Sequence, residues 1–402
     1  MASSRHWFES VAEARRRARR RLPRSVYLAI EAGSEAGITA EDNTRAFAEL
    51  RFAPPRLADL PGRRDLRTTV LGTVLSLPVI ASPVGVQAVH PLGEAGVAIG
   101  TARAGTAMGL SEFASLPVAE VIRHNPALFF QVHWSADRQA LLSRADRARQ
   151  AGARALILTL DWAFPGGRDW GSPPIPERVD LAAIVRYAPQ VLARPGYLAG
   201  WLRGDAGRRG RLPDLTVPNM AAAGEPAPGF FRAYRDWQAV PPPTWDDIAW
   251  LRQQWEGPFC IKGVMRPGDA RRAVDAGATA VAVSNHGGNN LDRTPASIRG
   301  LPAIVAAVGD QAEVLLDGGI RRGGDVVAAL ALGAKAVMIG RPVLWGLAAD
   351  GQNGVHNVFE VLRAGIDSTL LALGRGRLKD LARDDIIVPD GFMIGGDEMM
   401  SQ

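Results

Sequence analysis

The 402-residue chain is short of cysteine, lysine and aromatic side chains. Its single cysteine, Cys260, excludes an intrachain disulfide and with it the small disulfide-stapled scaffolds. No run of eighteen apolar residues exists, so a membrane-spanning helix is excluded. The basic segment Arg15 to Arg21 leads into Leu22-Pro23-Arg24 and not into an apolar stretch. No signal peptide is therefore expected, and a cytoplasmic location is. The six histidines (His6, His90, His124, His133, His286, His356) lack metal-ligand spacing, so no metal is expected. No Gly-x-Gly-x-x-Gly follows the first strand-like run, which argues against a dinucleotide-binding Rossmann domain.

The charge balance has the same lopsided character. The net is +6, yet lysine occurs only at 262, 335 and 379, so arginine supplies the rest of the 47 basic residues. Only Arg15 to Arg24 is dense, and the remaining arginines are scattered. This reads as arginine-rich composition, and no nucleic-acid partner is expected. With 47% hydrophobic residues there is ample material for a core.

Residues 1–75 read as helices followed by a loop: Trp7 to Leu22, Ser25 to Glu31, and a third helix capped by Thr39. From residue 76 short apolar runs alternate with helical stretches. The runs are 77–81, 106–110, 128–132, 155–159, 258–261, 279–283, 313–316 and 334–339. Continuous apolar runs suit strands buried on both faces of a parallel sheet. Ala151-Gly152-Ala153, Ala276-Gly277-Ala278 and Leu332-Gly333-Ala334 each read as a left-handed glycine cap leading into a strand. Eight strands with helices between them predict a (β/α)₈ barrel over 76–375; an open doubly wound sheet is the competitor. The rhythm breaks over 162–245, a Pro-, Gly- and Trp-rich insertion after strand four that reads as a long lid-like loop. Residues 376–402 read as a tail.

A barrel of this kind places its active site at the C-terminal ends of its strands. Those ends carry Val84-Gly85 in a Pro-Val-Gly turn, Ser111, Gln131 with His133, Thr159 with Asp161, Lys262, Ser284 with His286, Asp317 with Gly319, and Gly340 with Arg341. The glycine-rich segment 317–324 and Gly340-Arg341 follow strands seven and eight, where such barrels commonly bind phosphate; Arg321 and Arg341 supply bidentate donors. His286, followed by two glycines, is the candidate base, with Asp161 as its partner. Lys262, one of three lysines and the end of an apolar strand, is suited to stabilising negative charge that develops on a bound group.

Ser-Asn-His-Gly-Gly-Asn-Asn-Leu-Asp (284–292), Asp-Gly-Gly-Ile-Arg-Arg-Gly (317–323) and Ile-Gly-Arg-Pro (339–342) resemble the FMN-dependent α-hydroxy-acid oxidase and dehydrogenase family. The resemblance implies FMN as cofactor and a homo-oligomer, a tetramer in many members. It implies the Val84-Gly85 backbone near flavin N5 and Ser111, Gln131 and Thr159 at the pyrimidine edge. Lys262 would lie at N1/O2 and Ser284 near the ribityl chain. Asp317, Gly319, Arg321, Gly340 and Arg341 would hold the phosphate region. His286, Asp161 and Lys262 would be the catalytic set, with His133, Arg168, His286 and Asn289 toward the substrate.

Three departures stand out. The family arginine that grips a substrate carboxylate aligns with Asn289, a substrate-contacting tyrosine aligns with His133, and an N-terminal tyrosine aligns with Ala29. Asparagine cannot make a bidentate charged grip on a carboxylate. The stretches 169–173 and 214–221 add a resemblance to members that act on a small peptide-derived amine in redox-cofactor biosynthesis. That implies oxidative deamination of an aminopyrrolidinone to an α-keto amide, with molecular oxygen as acceptor. A 2-hydroxy-acid oxidase of altered specificity is the alternative.

Overall fold

The computed structural model describes residues 7–31, 33–135, 137–161, 167–169, 171, 181–203, 215–222 and 224–394. Eight parallel strands close into a barrel: β1 (Val79–Ala81), β2 (Met108–Ser111), β3 (Leu128–His133), β4 (Ala155–Thr159), β5 (Phe259–Val264), β6 (Ala280–Val283), β7 (Glu313–Asp317) and β8 (Ala336–Ile339). Each strand pairs with the next, and β8 returns to β1 through Met338 opposite Ile80. The closed barrel rules out the open doubly wound sheet.

Alternation along each strand divides the core in two. Residues of one parity, such as Leu128, Phe130, Leu156, Leu158, Val281 and Val283, pack outward against the helices. Those of the other parity, including Ile80, Phe129, Ile157, Cys260, Ala282, Leu315 and Met338, fill the barrel interior. Both faces are buried, which is why the runs are continuously apolar. The inward column turns polar at the top of every strand but the last. Continuing the same parity gives Ser82, Ser111, Gln131 and His133, Thr159 and Asp161, Lys262, Ser284, and Asp317. Strand register therefore delivers these side chains to one place.

The lower mouth is closed by a hairpin (Thr68–Val70 and Thr73–Leu75) whose Val70, Leu71 and Leu75 join the interior core. Its Leu71-Gly72 turn has positive φ at both residues, 47° and 69°, the geometry of a tight hairpin. The sequence reading placed only a loop there.

Gly152, Gly277 and Gly333 adopt positive φ after their helices, as expected of caps. Thr39 does not cap its helix. The helix Ile38–Glu49 starts after Gly37, and the Asp292 carboxylate accepts the backbone N–H groups of Ile38 and Thr39. The cap comes from a distant loop, which no local pattern can reveal. Two further helices, Gly93–Arg103 and Arg341–Leu373, were also not read from the sequence. They pack together so closely that a Cβ on Gly100 would lie 2.6 Å from Val355. Glycine and alanine on both faces leave Gly93–Arg103 without an amphipathic stripe.

The insertion is not a structureless loop. Its described parts include helices Leu181–Leu192, Pro195–Arg203 and Phe230–Gln238. The rest of it, with Trp170 and 172–173 of the 169–173 motif and Asp214 of the 214–221 motif, lies outside the described residues, as do His6 and 395–402 of the tail.

Candidate active site

The polar ends of the inward columns meet in one cavity at the C-terminal mouth. Val84, Gly85, Ser111, Gln131, His133 and Thr159 line it on one side. Asp161, Lys262, His286, Asn289, Asp317, Gly319, Arg321, Gly340 and Arg341 line the remainder. Two expected residues do not reach its surface. Ser284 is fully buried, where it accepts from Lys262 Nζ at 2.9 Å and from the His286 backbone N–H at 3.1 Å. Arg168 stands behind Asn289 and donates to its Oδ1 at 3.3 Å.

His286 Nδ1 lies 2.9 Å from Asp161 Oδ2, and the ring is partly open to the cavity. Burial pushes the Asp161 carboxyl up, but His286 and Lys262 together outweigh it and hold it below its usual value. The carboxylate therefore stays ionised and fixes the imidazole with Nδ1 protonated. A bulge in β5 makes room for this pair. At Gly263 the register slips and φ is +103°, and a Cβ there would lie 2.7 Å from Asp161. Bulges commonly re-aim side chains at active sites in this way. His286 itself has a φ of 55° between Asn285 and the two glycines.

Lys262 is buried at 3% exposure and pairs with Asp317 Oδ2 at 3.1 Å. Burial alone would push the ammonium down; Asp317 and Asp161 more than offset it and raise it. A permanent positive charge is thus fixed beneath the cavity.

Arg321 and Arg341 are walled by protein and exposed mainly toward the cavity. Burial, and then the neighbouring Arg341, push Arg321 down to about 9. Arginine keeps its proton in proteins, so such a pair is relieved by an anion instead. Asp317 Oδ1 is buried without a hydrogen-bond partner among the described residues. Adjacent cationic donors and a waiting acceptor fit a ligand carrying both phosphate and hydroxyl groups.

The sequence reading missed two parts of the site. Glu112, directly after Ser111, is fully buried and accepts from His133 Nδ1 at 2.9 Å, from its backbone N–H at 2.7 Å, and from Arg144 at 3.3 Å. The second is the aromatic wall that Phe230, Tyr234 and Trp237 form with Phe113. Helical spacing puts the first three on one face of Phe230–Gln238, and they line the cavity, so the insertion contributes to the site. The spacing was available as a signal, whereas its direction toward the barrel was not.

This architecture, with chemistry confined to the C-terminal mouth of a closed barrel, defines the class as a barrel enzyme built around an anionic, hydroxyl-bearing cofactor. The sequence profile of the FMN-dependent dehydrogenase family matches residues 18–388. The chain belongs to that family; it is an oxidoreductase and its cofactor is FMN. It is 60% identical over 386 residues to the pre-mycofactocin synthase of Mycolicibacterium smegmatis, covering 96% of this chain and 95% of that one. It is 39% identical over 356 residues to the L-lactate oxidase of a Nostoc species, covering 87% and 89%. The solved structure of (S)-mandelate dehydrogenase, a monotopic membrane protein, matches with a TM-score of 0.83 at 30% identity, covering 95% of this chain and all of that one. No described helix of this chain is long and apolar enough to cross a membrane.

Proposed function

We propose that the chain oxidatively deaminates a peptide-derived aminopyrrolidinone to an α-keto amide in mycofactocin biosynthesis, releasing ammonia and reducing oxygen to hydrogen peroxide. The observation that carries this reading is Asn289. The hydroxy-acid grip needs a guanidinium three residues after the base, and here the side chain is neutral and accepts from Arg168. A substrate without a carboxylate has no use for that grip. The 60% identity to proteins named pre-mycofactocin synthase supports the same reading.

In this proposal Gly319, Arg321, Gly340 and Arg341 hold the FMN phosphate, and Asp317 accepts from a ribityl hydroxyl. Ser111, Gln131 and Thr159 serve the pyrimidine edge, Lys262 the N1/O2 side, and the Val84-Gly85 backbone the N5 side. When bound, FMN supplies a two-electron acceptor that passes the pair to oxygen. The amine R₂CH–NH₂ loses two electrons and two protons to give R₂C=NH. His286 takes a proton in that step through Nε2, while Asp161 holds Nδ1. Water then replaces the nitrogen, and ammonia leaves.

A specific observation favours the second reading, a 2-hydroxy-acid oxidase. Arg168 brings a guanidinium to Asn289, the position where the family has its carboxylate-gripping arginine. Product stoichiometry separates the two. The proposal expects one ammonia and one peroxide per aminopyrrolidinone consumed in air. Peroxide from lactate or glycolate, with none from the amine, supports the second reading instead.

A further inference from the structure

The cavity contains two histidine–carboxylate pairs, and the oxidation step uses one of them. We infer that His133, positioned by Glu112, is a second acid–base group whose work is hydrolysis of the imine. This inference rests on the amine-oxidation reading above.

The geometry of the second pair parallels the first. Glu112 occupies His133 Nδ1 at 2.9 Å, so a proton exchanges with the cavity only through Nε2. The Gln131 amide nitrogen lies 3.2 Å from Nδ1 and 3.3 Å from Nε2, nearly equidistant. Trp237 packs tilted against the ring at 4.4 Å between centroids, and Phe113 meets it edge-on at 5.2 Å. His133 lines the cavity three strands around the barrel from His286.

Charge balance argues against a merely structural histidine. A fully buried carboxylate needs a partner. Arg144 provides one on Oε2, so Glu112 does not depend on His133 being charged. The imidazole can therefore gain and lose a proton without stranding a buried ion.

The chemistry calls for such a group. His286 has taken a proton during oxidation and is poorly placed to take another. Imine hydrolysis needs both a base and an acid. Water adds to the imine carbon, and one of its protons passes through His133 Nε2 to the nitrogen. The C–N bond then breaks with its electron pair on nitrogen. The remaining hydroxyl proton passes through Nε2 to the leaving ammonia as C=O forms, which leaves His133 neutral again. In sum R₂C=NH and H₂O give R₂C=O and NH₃. Oxidation of a hydroxy acid requires no such step.

The test uses the full-length FMN-loaded enzyme, aminopyrrolidinone, and rapid quenching in borodeuteride, which converts any imine to deuterium-labelled amine. For His133→Gln the expectation is ammonia release slowed by about 10²-fold more than anaerobic flavin bleaching, and labelled amine in the first turnover. Glu112→Gln should move in the same direction by less. Independently of turnover, ¹⁵N spectra of histidine-labelled protein should show His133 protonated at Nδ1. Unaltered ammonia release in His133→Gln, bleaching slowed as much as in His286→Ala, or a proton fixed on Nε2 alone overturns the inference. Wild-type flavin that ignores the amine overturns the parent reading as well, so the two failures are distinguishable.

Discussion

In the proposed reaction Asp161, His286 and Lys262 carry most of the chemistry, and each gains its character from a neighbour. There Asp161 makes His286 a directed base. His286→Ala should keep its flavin absorbance and lose about 10²–10⁴-fold in the anaerobic bleaching rate, measured by stopped flow. Lys262 is different, because it is the buried partner of Asp317. Lys262→Ala strands that carboxylate, and breaking such a pair typically costs about 3–5 kcal/mol. The expected outcome is a lower melting temperature and a reduced ratio of flavin to protein absorbance on purification. Much of this was legible, because lysine is rare in this chain and a histidine before two glycines at a strand end is distinctive. The Glu112 pair was not, since nothing in a sequence says which buried carboxylate faces which ring. Nor was the burial of Ser284 below the cavity surface, where it accepts from Lys262.

At the scale of elements, the strands were legible because a two-faced core writes continuous apolar runs. Gly93–Arg103 escaped notice because glycine and alanine fill its contacts and it lacks a polar face; the second half of Arg341–Leu373 does carry one, at Asn353, His356, Glu360, Arg363 and Asp367, and was legible as a helix. The β5 bulge matters most for function. Gly263→Ala forces a Cβ against Asp161 and a side chain into positive φ, which by itself costs about 1–2 kcal/mol. Its expected effect is a loss of stability together with a reduced bleaching rate, while flavin stays bound. A normal rate would mean that the bulge does not position Asp161. Another device joins the helix Ile38–Glu49 to the helix Ser297–Val308. Asp42 accepts from Arg299 and from the Ala296 backbone N–H. Burial raises the Asp42 carboxyl, but these partners more than offset it, so it lies below its usual 3.8. The folded state thus prefers the ionised form. That contribution is complete above the unfolded value and is lost as pH falls through the lower folded one. Asp42→Asn should flatten the acid limb of a melting-temperature profile below about pH 4; an unchanged limb contradicts the assignment.

For the whole molecule, the excess of arginine resolves mostly into internal pairing. Arg15 pairs with Glu31, Arg16 and Arg17 with Glu13, and Arg21 donates to the Ala349 carbonyl, so much of the dense N-terminal cluster serves packing. Arg321 and Arg341 are set apart by facing the cavity. Binding of FMN there should stabilise the entire fold, by about 2.7 kcal/mol at a hundredfold excess over Kd. Arg321→Ala should lower that gain in melting temperature while leaving the apoprotein as stable as before or more so. The central claim concerns what the loaded barrel oxidises, and one measurement tests it most directly: the anaerobic visible spectrum of the flavin against an amine and a hydroxy acid. Bleaching by the aminopyrrolidinone, recolouring in air and indifference to lactate and glycolate are the predicted results. Bleaching by either hydroxy acid, with no response to the amine, would contradict the account.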